Sequence, residues 1–379
     1  MILIKNGKVH LGNGKILENA DILIKDDKIC KVESDIDEKD VDIIDAKGKE
    51  VFPGFIDPIT HWGCLGSTFT DMDYEEKTDP VTPQMNIIYA FDAENCTIQE
   101  LYKAGITTVG VSPSDSNVIA GQIAAFKTYG DSPYEMLARE TVALKGSVTS
   151  TVKKTYGDQN KAPKTRMGIS SILKNALEEA KKYDPSKEDV AKDEGKAILK
   201  KVLNKELPLI VSANTKAEID GVINLFKDYD IDLTICNAFM AGKSKDSIIA
   251  SNISLILGEQ VNMQDHNDEI DLDKIIDIHE AGVNVSLSTS CDMGAGGQEG
   301  LLWNAINVYK AGLDSEEVLK MITINPGKVL KIDDKVGTIE VGKDADVVIY
   351  TNNPIECFDS SITHSIIKGK IVYCKGECV

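Results

Sequence analysis

Hydrophobic and polar positions alternate at both ends of the chain and follow a different rule between them. ILIKNGKVH (2–10), ADILIKDD (20–27) and KICKVES (28–34) place apolar residues at every second position around Asn-Gly, Gly-Asn-Gly and Asp-Asp turns. A period of two with such turns predicts a β-meander over the first fifty residues. VGTIEVGKDADVVIY (336–350) and SIIKGKIVYC (365–374), around a Lys-Gly turn, return to the same pattern. Short strands at both termini with nothing helical among them predict one small β-sandwich domain, composite over 1–54 and 332–379.

Between these ends, apolar runs bounded by polar residues alternate with segments of helical spacing. The strand candidates are FIDPIT, ITTVGVS, QIAAFKTYG, TVALKG, LPLIVSAN, DLTICNA, SLILGE and VNVSLSTS. Helices are expected over TIQELYKAG, ending on Gly105, and over TRMGISSILKNALEEAKKY, stopping before Pro185. Three more are expected: over DLDKIIDIHEAG, ending on Gly282, and, in looser form, after Lys216 and after Gly300. Glycine after the last periodic residue is a helix-stop signal. About eight βα units over 55–331 predict an α/β fold, a (β/α)8 TIM barrel. The charged stretch 184–206 reads as a solvated insertion running into a helix. In such a barrel, chemistry sits at the carboxyl ends of the strands, which narrows the search for a site.

Charge and composition limit the partners. The 379 residues carry a formal net charge of −19, which repels nucleic acid and anionic membrane and favours a small-molecule partner. No apolar run approaches the roughly 20 residues that span a bilayer, and the amino terminus passes straight into strand pattern, so a cytoplasmic protein is expected. The 8 cysteines are scattered, with no CxxC pair, which supports neither a zinc knuckle nor a redox motif. Arginine occurs only at 139 and 166.

PGFIDPITHWG, KAGITTVGVSPSDSNVIAGQ, APKTRMG and TINPGKVLKIDDKVGTIEVGKDADVVI together resemble the amidohydrolase superfamily, in particular its imidazolonepropionase-related branch. The resemblance covers nearly the whole chain. It implies a hydrolase of carbon–nitrogen bonds other than peptide bonds. It also implies one or two divalent metals held by a HxH pair on strand 1, a carboxylated lysine or glutamate near strand 4, histidines on strands 5 and 6 and an aspartate on strand 8. Imidazole and carboxylate hold such metals, which make hydroxide from water near neutral pH.

The residues at those positions differ. Ile59 stands at the first histidine of the HxH pair and only His61 remains; Ser212 and Asn214 stand at strand 5, Asn237 at strand 6 and Ser290 at strand 8. Ser150 is the match near strand 4, and Lys145 on the preceding strand is the candidate for a carboxylated lysine. Hydroxyl and amide are weak, neutral metal ligands, so the expectation is a metal-free barrel that binds a small polar molecule, with no cofactor and with altered or no hydrolase activity. Asn117, Gln122, Lys145, Arg166, Asn214, Asn237 and Ser290 are the candidate binding residues, with Arg166 or Lys145 offered to an anionic group. His61 and Asp292 are the catalytic candidates. Asp292 is a displaced acid if strand 8 runs on, and a loop residue if the glycine-rich CDMGAGGQ has already begun. Two alternatives stay open: an active hydrolase with a metal site rebuilt from His61, His266, Asp292 and Cys291, and a non-catalytic oligomeric interaction protein. Homo-oligomerisation is compatible with any of the three.

Overall fold

The computed structural model describes residues 1–66, 72–96, 98, 100–187, 191–258, 270–290 and 299–376. The first meander forms strands β1 (Ile2–His10), β2 (Ile16–Lys25), β3 (Lys28–Glu33), β4 (Asp42–Asp45) and β5 (Glu50–Pro53). The central region contributes β6 (Phe55–Thr60), β7 (Ile106–Val111), β8 (Ile119–Lys127), β9 (Leu137–Ser147), β10 (Leu209–Ser212), β11 (Leu233–Cys236), β12 (Ser254–Leu257) and β13 (Val285–Leu287). The carboxyl-terminal stretch returns as β14 (Val347–Tyr350), β15 (Ile362–Ile367) and β16 (Lys370–Cys374).

One sheet, in the order β16-β15-β14-β5-β1-β2-β3 with β4 also on β1, is woven from both termini. The seam is antiparallel β14 on β5, where Val348 faces Phe52 and Ile349 faces Val51. Tight turns set its registers. Lys368 and Gly369 both hold positive φ (46° and 71°) between β15 and β16, the left-handed pair that a two-residue hairpin needs.

The second sheet runs β13-β12-β11-β10-β9-β8-β7-β6 and curls into a nearly closed barrel. Every residue of β6, β7 and β8 is buried, as expected of strands covered on both faces. The uniform βα repeat breaks at one place. β8 pairs antiparallel with both β7 and β9, and only a single helical turn, Pro133–Met136, lies between β8 and β9. Parallel neighbours need a crossover of a dozen or more residues, and neither connection is that long, so the chain turns back as hairpins. The expected helix ending at Gly105 is, among the described residues, a short 3-10 turn over Leu101–Ala104, with Gly105 left-handed at φ 84°.

The other expected helices form where their spacing placed them. Arg166–Lys182 is capped by the Thr165 hydroxyl and buries Ile169, Leu173, Leu177 and Ala180, an apolar stripe at intervals of three and four. The charged insertion ends in the helix Glu194–Leu203, which buries Ile198, Leu199 and Val202 and packs against Arg166–Lys182. Leu272–Glu280 precedes Gly282, left-handed at φ 93°.

Two buried polar clusters join the sheet domain to the barrel. His10, stacked on Phe52 at 4.2 Å, holds Glu50 and Glu316 at 2.5 Å from its two ring nitrogens. Lys127 of β8 pairs with Asp344 at 3.1 Å and with Asp346. Among the described residues, no helix is long and apolar enough to cross a membrane.

Candidate functional site

Parallel pairing aligns the carboxyl ends of three strands. Ser212 lies beside Ser147 on one side and Cys236 on the other, and Ile210 lies beside Lys145. Side chains two apart on a strand share a face, so Ile210 and Ser212 both point into the barrel. Lys145 enters from the neighbouring strand and is 1% exposed. Its ammonium donates to Asp115 Oδ1, to Ser212 Oγ at 2.5 Å and to Gly146 O at 3.2 Å, with Cys236 Sγ at 3.7 Å. An ammonium has three N–H bonds, and these protein acceptors account for all of them.

Asp115 follows the carboxyl end of β7 and is the cluster's opening to the barrel mouth, its side chain 24% exposed. It accepts from Ser212 Oγ at 2.6 Å and, on Oδ2, from Asn237 Nδ2 at 3.0 Å. Burial alone would raise its carboxyl. The charge and hydrogen bond of Lys145, with the Ser212 hydroxyl, overcome that and hold it below the usual carboxylate range, with a smaller contribution from His61. Burial would likewise pull the Lys145 ammonium down, but Asp115 raises it, so the lysine stays charged. Burial pushes the Cys236 thiol up, which keeps it neutral.

Asn237 and Ser290 stand at the ends of β11 and β13 in left-handed backbone, with φ 62° and 49°. Non-glycine residues there carry strain and gather at functional sites. The bond from Nδ2 to Asp115 fixes the Asn237 amide and turns its Oδ1 towards Gly258. A side chain at Gly258 would place its Cβ 2.1 Å from Ser290 Oγ and 3.0 Å from Asn237 Oδ1, so glycine is what admits both atoms. Neither atom has a hydrogen-bond partner among the described residues, nor does Asn214 Oδ1. Asn214 is held by the helix that follows it. Glu218 closes a capping box with Thr215 at the start of Lys216–Phe226 and accepts from the Asn214 backbone at 3.0 Å.

Just past the carboxyl end of β6, His61 donates from Nδ1 to Ser112 O at 2.7 Å and stacks on Tyr74 at 4.1 Å. Ile59 is buried in the barrel's apolar interior with Ile56, Ile210, Cys236 and Ile256. Below them Asp57 is fully buried. Ser288 Oγ lies 2.5 Å from its Oδ1, and it accepts from Thr289 Oγ1 at 2.6 Å and Thr289 N at 3.2 Å. Burial drives its carboxyl up to about 6 against these hydrogen bonds.

The sequence-selected residues therefore divide. Lys145, Asn237 and Ser290 gather in one cluster with Ser212, and His61 borders it. Asn117 is fixed elsewhere, donating to Glu76 O at 2.7 Å and Thr82 Oγ1 at 2.9 Å and accepting from Tyr156. Gln122 reaches Pro83 O and Thr141 Oγ1. Arg166 is exposed at the first position of its helix. Asp292, His266 and Cys291 lie outside the described residues. Sequence reading passed over Asp115, Cys236 and Asp57. The signal for Asp115 was an acid just past a strand's carboxyl end, and for Asp57 an acid inside an otherwise apolar strand.

A TIM barrel with a composite β domain, its polar cluster at the strand ends, defines the class of protein. The Amidohydrolase family matches residues 51–372, and this chain belongs to it. A 5-methylthioadenosine/S-adenosylhomocysteine deaminase of Thermococcus sibiricus is 25% identical over 415 residues, covering 98% of this chain and 93% of the deaminase. An imidazolonepropionase of Geobacillus sp. is 24% identical over 88% of this chain and 84% of its own length. It is one distant relative among deaminases and dihydroorotases, so the narrower assignment to its branch gives way to the family as a whole. An amidohydrolase of Thermotoga maritima MSB8 superposes with a TM-score of 0.92 at 26% identity, over 99% of this chain and 100% of that one.

Proposed function

We propose that the barrel mouth binds a small polar molecule without a divalent metal, and that the metal-assisted hydrolysis of carbon–nitrogen bonds typical of the family does not run here in its usual form. The observation that carries this reading is the Lys145 ammonium, buried between Asp115 and Ser212 at the strand ends. A fixed positive charge there opposes a divalent cation in the same space and already neutralises the nearest carboxylate. The donor set is also unsuited to a metal. Hydroxyls, amides and a neutral thiol surround the ion pair, and Ile59 offers no donor atom at all. Among the described residues, no three histidine, cysteine, aspartate or glutamate side chains gather in ligating positions.

Without a Lewis acid, a term worth several kcal/mol in the transition state of hydrolysis is lost, while hydrogen-bonded recognition is kept. The deaminase relatives act on amino-bearing purine nucleosides by name, which makes nitrogen-containing small molecules the first class to test. The experiment is a ligand screen by thermal shift on the full chain, with and without excess chelator. Binding that survives chelation supports the reading. Chelator-sensitive turnover of amides, lactams or aminopurines refutes it.

A further inference from the structure

The β16 edge of the composite sheet carries a second set of reactive side chains, apart from the barrel mouth. His364 on β15 and Cys374 on β16 are paired directly across the ladder, and Cys374 Sγ lies 3.4 Å from His364 Nε2. The other ring nitrogen, Nδ1, lies 3.1 Å from Thr363 Oγ1. Successive residues of a strand normally point to opposite faces. Here Tyr350 pairs with Ile362 and Ile349 with His364, which leaves Thr363 as an extra residue, a bulge. A bulge re-aims side chains, and this one brings the Thr363 hydroxyl to the neighbouring imidazole. That hydroxyl donates its one hydrogen to Ile349 O at 3.1 Å. Towards His364 it is therefore an acceptor, which assigns the proton to Nδ1. In the neutral ring Nε2 then keeps the lone pair, and the Cys374 thiol donates to it. A nucleophile, a base and a group that orients the base stand in line.

We propose that Cys374 is a modification site, a thiol activated by His364 for exchange with a small-molecule disulfide. Sγ attacks one sulfur of the disulfide while its proton passes to Nε2. The S–S bond breaks and the departing thiolate takes that proton, so Cys374–SH and RS–SR give Cys374–S–SR and RSH. No second cysteine and no further oxidant are needed. Thr363 acts through the ring: by holding Nδ1–H it keeps Nε2 turned to the sulfur. An unassisted thiol is roughly a few per cent thiolate at pH 7, so a base at hydrogen-bond distance enlarges the reacting fraction. Access allows the reaction. Cys374 is half-buried, whereas Cys64 and Cys236 are buried and Cys96 is exposed. Exposure alone would make Cys96 react faster than Cys374; the bonded imidazole reverses that order.

Timed modification of the full chain at pH 7 with hydroxyethyl disulfide tests this, each cysteine being followed by peptide mass mapping. The probe is neutral, so the net charge of −19 steers it to no site. Cys374 should gain the hydroxyethylthio group about three-fold or more faster than Cys96, a limited factor because the gain in thiolate is partly offset by lower nucleophilicity. His364→Gln should slow Cys374 by about three-fold or more and leave Cys96 unchanged. Loosened packing would act the other way, since a more open Cys374 reacts faster. Cys96 reacting as fast as Cys374 in the unaltered chain would overturn the proposal. An unchanged Cys374 rate in folded His364→Gln would overturn it as well. The first comparison needs no substitution and decides the matter even where the variant is unstable.

Discussion

Asp57 on the first barrel strand accepts hydrogen bonds from both the backbone and the hydroxyl of Thr289, 232 residues further along the chain. Neighbouring Ser288 Oγ lies 2.5 Å from Asp57 Oδ1 and 2.7 Å from Ile59 O. One hydroxyl hydrogen cannot serve two acceptors. A protonated Asp57 resolves this by donating to Ser288, which then donates to Ile59, so the β6–β13 seam is best satisfied with the acid neutral. Its carboxyl, raised from 3.8 to about 6, binds its proton more tightly folded than unfolded. The stability it contributes is complete below pH 3.8 and is lost as pH rises through about 6. A shift of this size corresponds to about 3 kcal/mol. Asp57→Asn should flatten the dependence of urea midpoint on pH across that window.

His10 carries a second pH dependence, at the domain junction. Burial would lower its pKa, but the hydrogen bonds to Glu316 and Glu50 outweigh burial and raise it above 6.5. A raised histidine stabilises fully below its unfolded value of 6.5 and loses that contribution as pH climbs through the folded value. Thermal stability should therefore fall on the alkaline side of 6.5, and His10→Leu should remove that slope. Breaking the buried pair costs roughly 3–5 kcal/mol, read as a drop in denaturant midpoint at pH 6.

Removing one half of the Lys145–Asp115 pair should harm the fold more than removing both. Lys145→Met leaves a carboxylate in a largely desolvated site, at a cost of roughly 3 kcal/mol, whereas an apolar replacement of both partners is often near neutral. Denaturant titration of Lys145→Met, Asp115→Leu and the double variant checks this. Additive losses would show that the two residues do not act as a unit.

Ile59→His should not create a hydrolase. The imidazole would enter the apolar cluster of Ile56, Ile210, Cys236 and Ile256, at about 2 kcal/mol for a polar group without an assured partner. The ammonium and amides at the other strand ends would remain. Zinc-stimulated hydrolysis by this single variant would mean that one ligand, and not the whole donor set, was limiting.

The architecture could be read from the chain more fully than the site. Alternation around Gly12-Asn13-Gly14, Asp26-Asp27 and Lys368-Gly369 announced the hairpins, and apolar spacing from Ile169 to Ala180 announced a helix, because both signals are local. Asn6-Gly7, expected as a turn, instead lies inside β1 at a shift of register. The reversal of β8 was also within reach, since the seven residues between Val111 and Ile119 are too few for a parallel crossover. The cluster was less accessible. Lys145 meets Asp115 and Ser212 across separations of 30 and 67 residues, and nothing local marks them as partners. The side chains of Asn237 and Ser290 close on Gly258 from distant strands, which spacing cannot reveal.

An internal ion pair, Lys145 with Asp115, is proposed to stand where a metal would otherwise be held. Elemental analysis of protein purified without chelator measures this most directly. The account predicts zinc, iron and manganese each at about a tenth of an equivalent or less, far below the full occupancy of a ligated catalytic site, with no change in ligand affinity on adding chelator. About one equivalent of a transition metal, lost in His61→Ala or Asp292→Ala together with hydrolytic turnover, would contradict it.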